Sequence, residues 1–258
     1  MREIILDEAK CAEALIAGND VLDDTRSTLS LIARYDMQVA GMDAGSTSAH
    51  LHDYADKHYR ELSLHYLDSY ITYCVEHATE FPLTAIEYVP ITETELSTIA
   101  ELETTRLQCI AFSALALAKY DTMRYPDVNY WLCGDKWGEI ARRANVTISD
   151  RDLAYEFHKL YVKNMIGLAK RVDNCSLHIL YAQPFDAEDV AIRLVDQDYK
   201  DLGYALRAYW GEPFIRCGEC ERWIKQAKNG RRKFCKDCAA DNHNRIKLRS
   251  KHRLGNKT

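Results

Sequence analysis

Four cysteines near the C-terminus, Cys217, Cys220, Cys235 and Cys238, form two C-x-x-C pairs with fourteen residues between them. Two residues between thiols let one tight turn aim both sulfurs at a common point, and two such turns supply the four donors of a tetrahedral shell. The chemistry expected of thiolates in this pattern is structural binding of zinc. A pair of disulfides or an iron–sulfur cluster uses the same atoms. The opening run MREIILDEAK carries acidic residues where a secretory signal needs basic ones, and no apolar stretch follows. A reducing, cytoplasmic setting is therefore expected, which disfavours disulfides. The basic loop around the thiols suits a structural zinc site beside a polyanion better than a redox cluster. The other cysteines, Cys11, Cys74, Cys109, Cys133 and Cys175, are scattered singly and read as free core thiols.

Charge is distributed unevenly around these cysteines. From Arg216 to Thr258 there are fourteen Lys and Arg against four Asp and Glu, a formal +10, whereas residues 1–215 carry twenty against thirty-five, a formal −15. A basic module on an acidic body is the asymmetry of a tail that meets a polyanion. Arg231, Arg232 and Lys233 precede Cys235, and Arg245, Lys247, Arg249, Lys251 and Arg253 follow Cys238. If 239–253 is a helix, Arg245, Arg249 and Arg253 fall four apart on one face, where guanidinium groups can pair with phosphates. Asn242, His243 and Asn244 add polar groups for base edges or phosphates. Trp223 and Phe234 are expected to pack over the metal as a small core, with base stacking as the alternative.

The run NGRRKFC (Asn229 to Cys235) and the later pattern Asn244-Arg245-x-Lys247-x-Arg249, ending in His252-Arg253, resemble the C-terminal zinc finger of CGNR-type bacterial proteins, which are regarded as DNA-binding transcription regulators. The resemblance is confined to this C-terminal part. It implies a related zinc fold with a basic exit helix and DNA as partner, and nothing in residues 1–215 resembles the N-terminal domain of that family.

Length and composition leave about two hundred residues for the body that carries this module. The expected domains are an acidic α-helical one over 1–211 and a basic zinc-finger module over 212–258, so the fold class is mainly α with a small C-terminal four-cysteine zinc finger. Helices are expected over 50–78, 93–120, 150–171 and 186–208. The second starts with Thr92 and Glu95 at capping-box spacing, and the last follows Pro184 with an acidic first turn. Two stretches, 85–91 and 176–183, alternate like strands and suggest one small β element. No apolar run approaches the roughly 20 residues of a membrane span.

Three other patterns in the body could carry chemistry. Trp137 to Leu153 resembles a helix-turn-helix, with Asn145 at the turn and Ile140, Ala141 and Ala144 inward. Its second helix carries Arg151 at an expected core position and Asp150, Asp152 and Glu156 toward the polyanion, so an ordinary helix pair is the plainer reading. Arg151 and His158, or Arg60 and His65, have the spacing of α-helical HEPN-type ribonucleases, in which an Arg would hold the phosphate while a His takes the 2′-hydroxyl proton. Such pairs also arise by chance at this composition. His50, His52, Asp53, His58 and His65 cluster as a second metal site would, but without identifiable distal ligands they read as surface or capping residues. No P-loop, dinucleotide-binding glycine pattern or nucleophile elbow is present.

The resulting expectation is a zinc-finger nucleic-acid-binding protein, DNA ahead of RNA, acting by binding and not as an enzyme, with the helical domain left for dimerisation or partner recognition. The alternatives are a HEPN-like ribonuclease with Arg151 and His158 as catalytic pair, or an interaction protein, of viral or mobile-element origin among other sources, that uses the finger as a structural staple.

Overall fold

A computed structural model describes residues 4–18, 22, 24–59, 64–169, 176–227, 230, 232–240 and 242. Among them, six helices begin at an Asp, Thr or Ser whose side chain takes up a backbone N–H of the first turn: Asp7, Asp24, Asp43, Thr92, Thr104 and Ser149. These short oxygen-bearing side chains satisfy donors that have no partner inside the helix. The chain divides into two compact units, Met1–Glu87 and Tyr88–Thr258. That division does not fall at the change of charge at residue 216, and the cysteine finger belongs to the second unit.

In the first unit, α1 (Glu8–Ile16), α2 (Thr25–Gln38), α3 (Ala44–His58) and α4 (Leu64–Glu76) pack around Leu15, Leu29, Ile32, Leu51 and Ile71. The expected helix over 50–78 is thus two helices. Glu8 and Arg34 are paired and almost fully buried, and Arg34 also donates to the carbonyls of Phe81 and Pro82. Thr84 N donates to Glu8 Oε2 at 2.8 Å, so one ion pair ties the segment after α4 back onto α1 and α2. The histidine cluster has other employment. His50 pairs with buried Asp36 at 2.7 Å, His52 bonds Ser48 O and Asp68, and His58 stacks on Tyr54.

The second unit is built around α6 (Thr105–Arg124), buried on nearly all sides from Leu107 to Thr122. The strand β1 (Val89–Thr92) leads through a complete Thr92/Glu95 capping box into α5 (Glu93–Ala100). The helix expected over 93–120 is interrupted at 101–104, because Thr104 accepts from Leu107 N and starts a new helix. Lys119 of α6 and Glu95 of α5 are both fully buried and paired at 2.7 Å. Burial pushes the Lys119 ammonium pKa down, and the Glu95 carboxylate opposes it. Glu95 also accepts from the backbone of Thr92 and Gln183, so its lone pairs are shared among three segments.

Further along, β2 (Trp131–Leu132), α7 (Trp137–Arg143), α8 (Asp150–Val162), β3 (Ile166–Leu168) and β4 (Leu177–Ile179) follow. Strand β4 lies between β2 and β3, antiparallel to both. The helix expected over 150–171 stops at Val162, since Asn164 takes a left-handed φ of 56° and the chain turns into β3. The helix expected over 186–208 is corrected further: β5 (Val190–Leu194) pairs antiparallel with β1, a 3-10 turn spans Asp196–Lys200, and only α9 (Leu202–Tyr209) is α-helical. The run Val-Ala-Ile-Arg-Leu has the branched side chains of a strand, and pairing with β1 decides in its favour. Asp189 does cap a helix, but that of α5: its carboxylate accepts from Thr94 N and Oγ1. Together with β6 (Phe214–Arg216) and β7 (Trp223–Lys225) there are three small sheets among the described residues, where one small β element was expected. The chain is nonetheless mainly helical, and no helix among the described residues is long and apolar enough to cross a membrane.

Removing one partner of the buried pair is expected to be costly because the other charge stays in place. Lys119→Met should lower the unfolding free energy by about 3–5 kcal/mol, as measured by denaturant titration.

Candidate metal centre

The finger starts as the β6–β7 hairpin, in register Phe214↔Lys225, Ile215↔Ile224 and Arg216↔Trp223. Cys217 and Cys220 sit in its turn. Glu221, at φ 57°, lets the chain double back so that Cys217 N reaches Arg222 O at 2.9 Å. Cys235 precedes a helical turn, 236–240, that carries Cys238. The two halves meet through Gly218 N to Lys233 O at 2.9 Å and Cys235 N to Cys217 Sγ at 3.2 Å.

All four sulfurs lie within 4.8 Å of one another, and Cys220 Sγ is 3.8 Å from Cys235 Sγ. A tetrahedral shell with metal–sulfur bonds of about 2.3 Å has edges of about 3.8 Å, whereas a disulfide closes the sulfurs to about 2.0 Å. The four residues are free cysteines. Burial raises the Cys217 thiol pKa, but backbone N–H groups of Cys220, Cys235 and Glu219 more than offset this and bring it to about 6. Cys220 is pushed up by burial and Cys238 chiefly by the Cys235 sulfur. Such a cage holds protons in competition with a cation, and metal binding would release them. Among the described residues, this is the one group of His, Cys, Asp and Glu placed to hold a metal ion. No known protein family, curated protein or solved structure matches this chain.

Phe234 packs with Cys217, Ile224, Cys235 and Cys238 as expected of a small core over the site. Trp223 does not share that place. Its Nε1 donates to Asp198 Oδ1 at 2.7 Å, and Arg216 lies over its ring at 4.3 Å while pairing with the same carboxylate at 2.6 Å. One turn on, Arg222 binds Asp201 through Nε and NH2 at 2.9 and 3.2 Å. Asn145 Nδ2 donates to Asp201 at 2.9 Å, and Asn145 Oδ1 accepts from Tyr204 N. Both aspartates are buried. The turn between α7 and α8 is close enough to α9 that a Cβ on Gly203 would lie 1.9 Å from Ala144 O. Asp198 and Asp201 were silent in the sequence, where they read as part of a helix; Arg216, Arg222 and Trp223 were visible only as basic and aromatic residues of the finger.

The remaining candidates are placed as follows. Asn145 has the left-handed φ of 55° that a helix-turn-helix turn requires. Glu156, expected to face a polyanion, is instead buried and paired with Arg106 and Lys159, so that expectation is corrected. Arg151 and His158 are exposed on α8, with His158 beside Tyr161. Arg60 and the His65 side chain lie outside the described residues. Of the basic residues, Arg232 and Lys233 are exposed next to the cage; Arg231, Arg245, Lys247, Arg249 and Arg253 lie outside the described residues, as does most of the helix expected over 239–253.

Asp201→Ala removes the acceptor shared by Arg222 and Asn145. With charge-assisted bonds worth roughly 1.5–3 kcal/mol each, we expect a loss of about that size or more in denaturant unfolding, together with faster proteolysis of the hairpin.

Proposed function

We infer that the four-cysteine cage holds zinc and that the chain is a nucleic-acid-binding protein, with DNA and transcription regulation as the expected setting and RNA second. Four thiolates at tetrahedral spacing are the donor set that suits a structural zinc ion. The observation that carries the reading is this cage standing at the head of the chain's basic segment, with exposed Arg232 and Lys233 beside it. Zinc would neutralise thiolate charge and fix the loop, while Arg231, Arg245, Lys247, Arg249 and Arg253 supply the phosphate contacts and salt-dependent affinity. The likeness of Asn229 to Arg253 to the CGNR-type finger supports the same partner, and a cytoplasmic setting goes with that reading.

A second reading, the finger as a structural staple, draws on a different observation. Arg216, Arg222 and Trp223 turn inward onto Asp198 and Asp201, so these side chains fasten the hairpin and leave fewer cations for a polyanion.

Two measurements separate these readings. Cys235→Ser should release the one equivalent of zinc expected per chain and unfold the finger; a variant that keeps both removes the ligand assignment. Binding of the zinc-loaded protein to labelled duplex DNA and to RNA over a salt series should give a linear fall of log affinity with log salt. Changing Arg245, Lys247 and Arg249 together to Ala should reduce the duplex slope by about 0.9 for each phosphate that is no longer neutralised. No binding to either nucleic acid leaves the staple.

A further inference from the structure

Beside the finger, unit two has a cleft of about 350 Å³ between β5, α9 and the β6–β7 hairpin. Its apolar wall includes Ile192, Ala205 and Ala208, and two arginines, Arg193 and Arg216, are among its lining residues beside Asp198 and Tyr209. Arg216 is held in place by Asp198 and Glu221 O, which leaves three of its five N–H donors. Arg193 lies over the Tyr88 ring at 4.8 Å and has no carboxylate partner among the described residues. The carboxylate in the cleft, Asp198, is spent: Oδ1 takes Trp223 and Arg216, and Oδ2 takes Val195 N at 2.9 Å. Tyr209, a residue 41% exposed, adds a ring fixed at its far end, because its hydroxyl donates to Glu93 Oε1 at 2.7 Å.

A planar fork with free donors suits phosphate oxygens, and an exposed ring pinned at its far end suits a flat heterocycle. The volume is at the low end of ligand sites, roughly 300–1,000 Å³. We propose that this cleft binds one nucleotide, its phosphate held by Arg193 and Arg216 and its base against Tyr209. The same unit can arrive free or as an unpaired position in a nucleic-acid strand. A base inside a duplex cannot enter. The site goes beyond the reading of the basic segment and needs only a folded finger, since the hairpin forms one wall.

The test uses the full-length zinc-loaded protein and calorimetric titration with AMP, UMP, inorganic phosphate and a short mixed-sequence single-stranded oligonucleotide. AMP or the oligonucleotide should bind, and inorganic phosphate about tenfold or more weaker, because it lacks the stacking contribution. Arg193→Glu should lower that affinity at least tenfold. Tyr209→Ala should bring AMP down to the level of phosphate and leave phosphate unchanged. Zinc content and melting temperature, followed in both variants, report whether the fold persists. Binding of free AMP identifies a soluble nucleotide ligand, and binding of the oligonucleotide alone identifies a position in a strand; either supports the cleft. Failure of AMP, UMP and the oligonucleotide to bind, or binding that Arg193→Glu and Tyr209→Ala leave unaltered, overturns it. Duplex affinity of Arg193→Glu is measured in parallel. If it is retained while nucleotide binding is absent, the cleft falls and the basic-segment reading stands.

Discussion

The finger depends on keeping four sulfur atoms within a few ångströms of one another. Its own apolar core is Cys217, Ile224 and Cys235, with Ile215, Phe234 and Cys238 packed against them, and half of those six side chains are the thiols themselves. Burial of so little apolar surface cannot offset the entropy of ordering the hairpin and the following turn. The four thiols also pull in different directions, with Cys217 drawn toward thiolate by backbone N–H groups, Cys220 driven away from it by burial and Cys238 chiefly by the Cys235 sulfur. A cation that accepts all four donors would remove that conflict, making its binding energy the folding energy of the module.

The second support of the finger lies in the protein beneath it. Asp198 and Asp201 are buried carboxylates, each answered by a guanidinium from the hairpin. Through Asn145 the same carboxylate, Asp201, is joined to the turn between α7 and α8. Buried charges left without partners are expensive, so the hairpin and the turn hold each other in place. The buried pair Lys119–Glu95 has the corresponding role deeper in the unit, where it connects α5, α6 and the segment at Gln183.

These contacts change what the charge count means. The finger and tail carry a formal +10, but Arg216 and Arg222 are committed to aspartates of the body. If the chain binds a polyanion as proposed, the contacts would therefore fall to basic residues other than these two, and Arg216 would contribute to the cleft at the hairpin only through its remaining donors. Charge asymmetry along a sequence measures the attraction at long range; the side-chain partners decide which cations are available at contact.

Local patterns in the sequence determined the four-cysteine cluster, the caps and the mainly helical composition. Two C-x-x-C pairs are legible because each turn brings its sulfurs together within four residues, and the Thr92/Glu95 capping box is legible because it closes within one helical turn. The left-handed Asn145 is likewise a local property of that side chain. Tertiary structure decided the rest. Residues 190–194 became a strand because β1, about a hundred residues earlier, offered a pairing edge. Glu156 became a buried ion-pair partner because Arg106 stands opposite it. Trp223 left the small core over the cage because Asp198 accepts from its Nε1, and Arg222 took Asp201 as its partner. Propensity and spacing act within a turn or two of the chain, whereas pairing edges and buried counter-charges come from residues far apart in sequence, and these contacts exist only once the unit has folded.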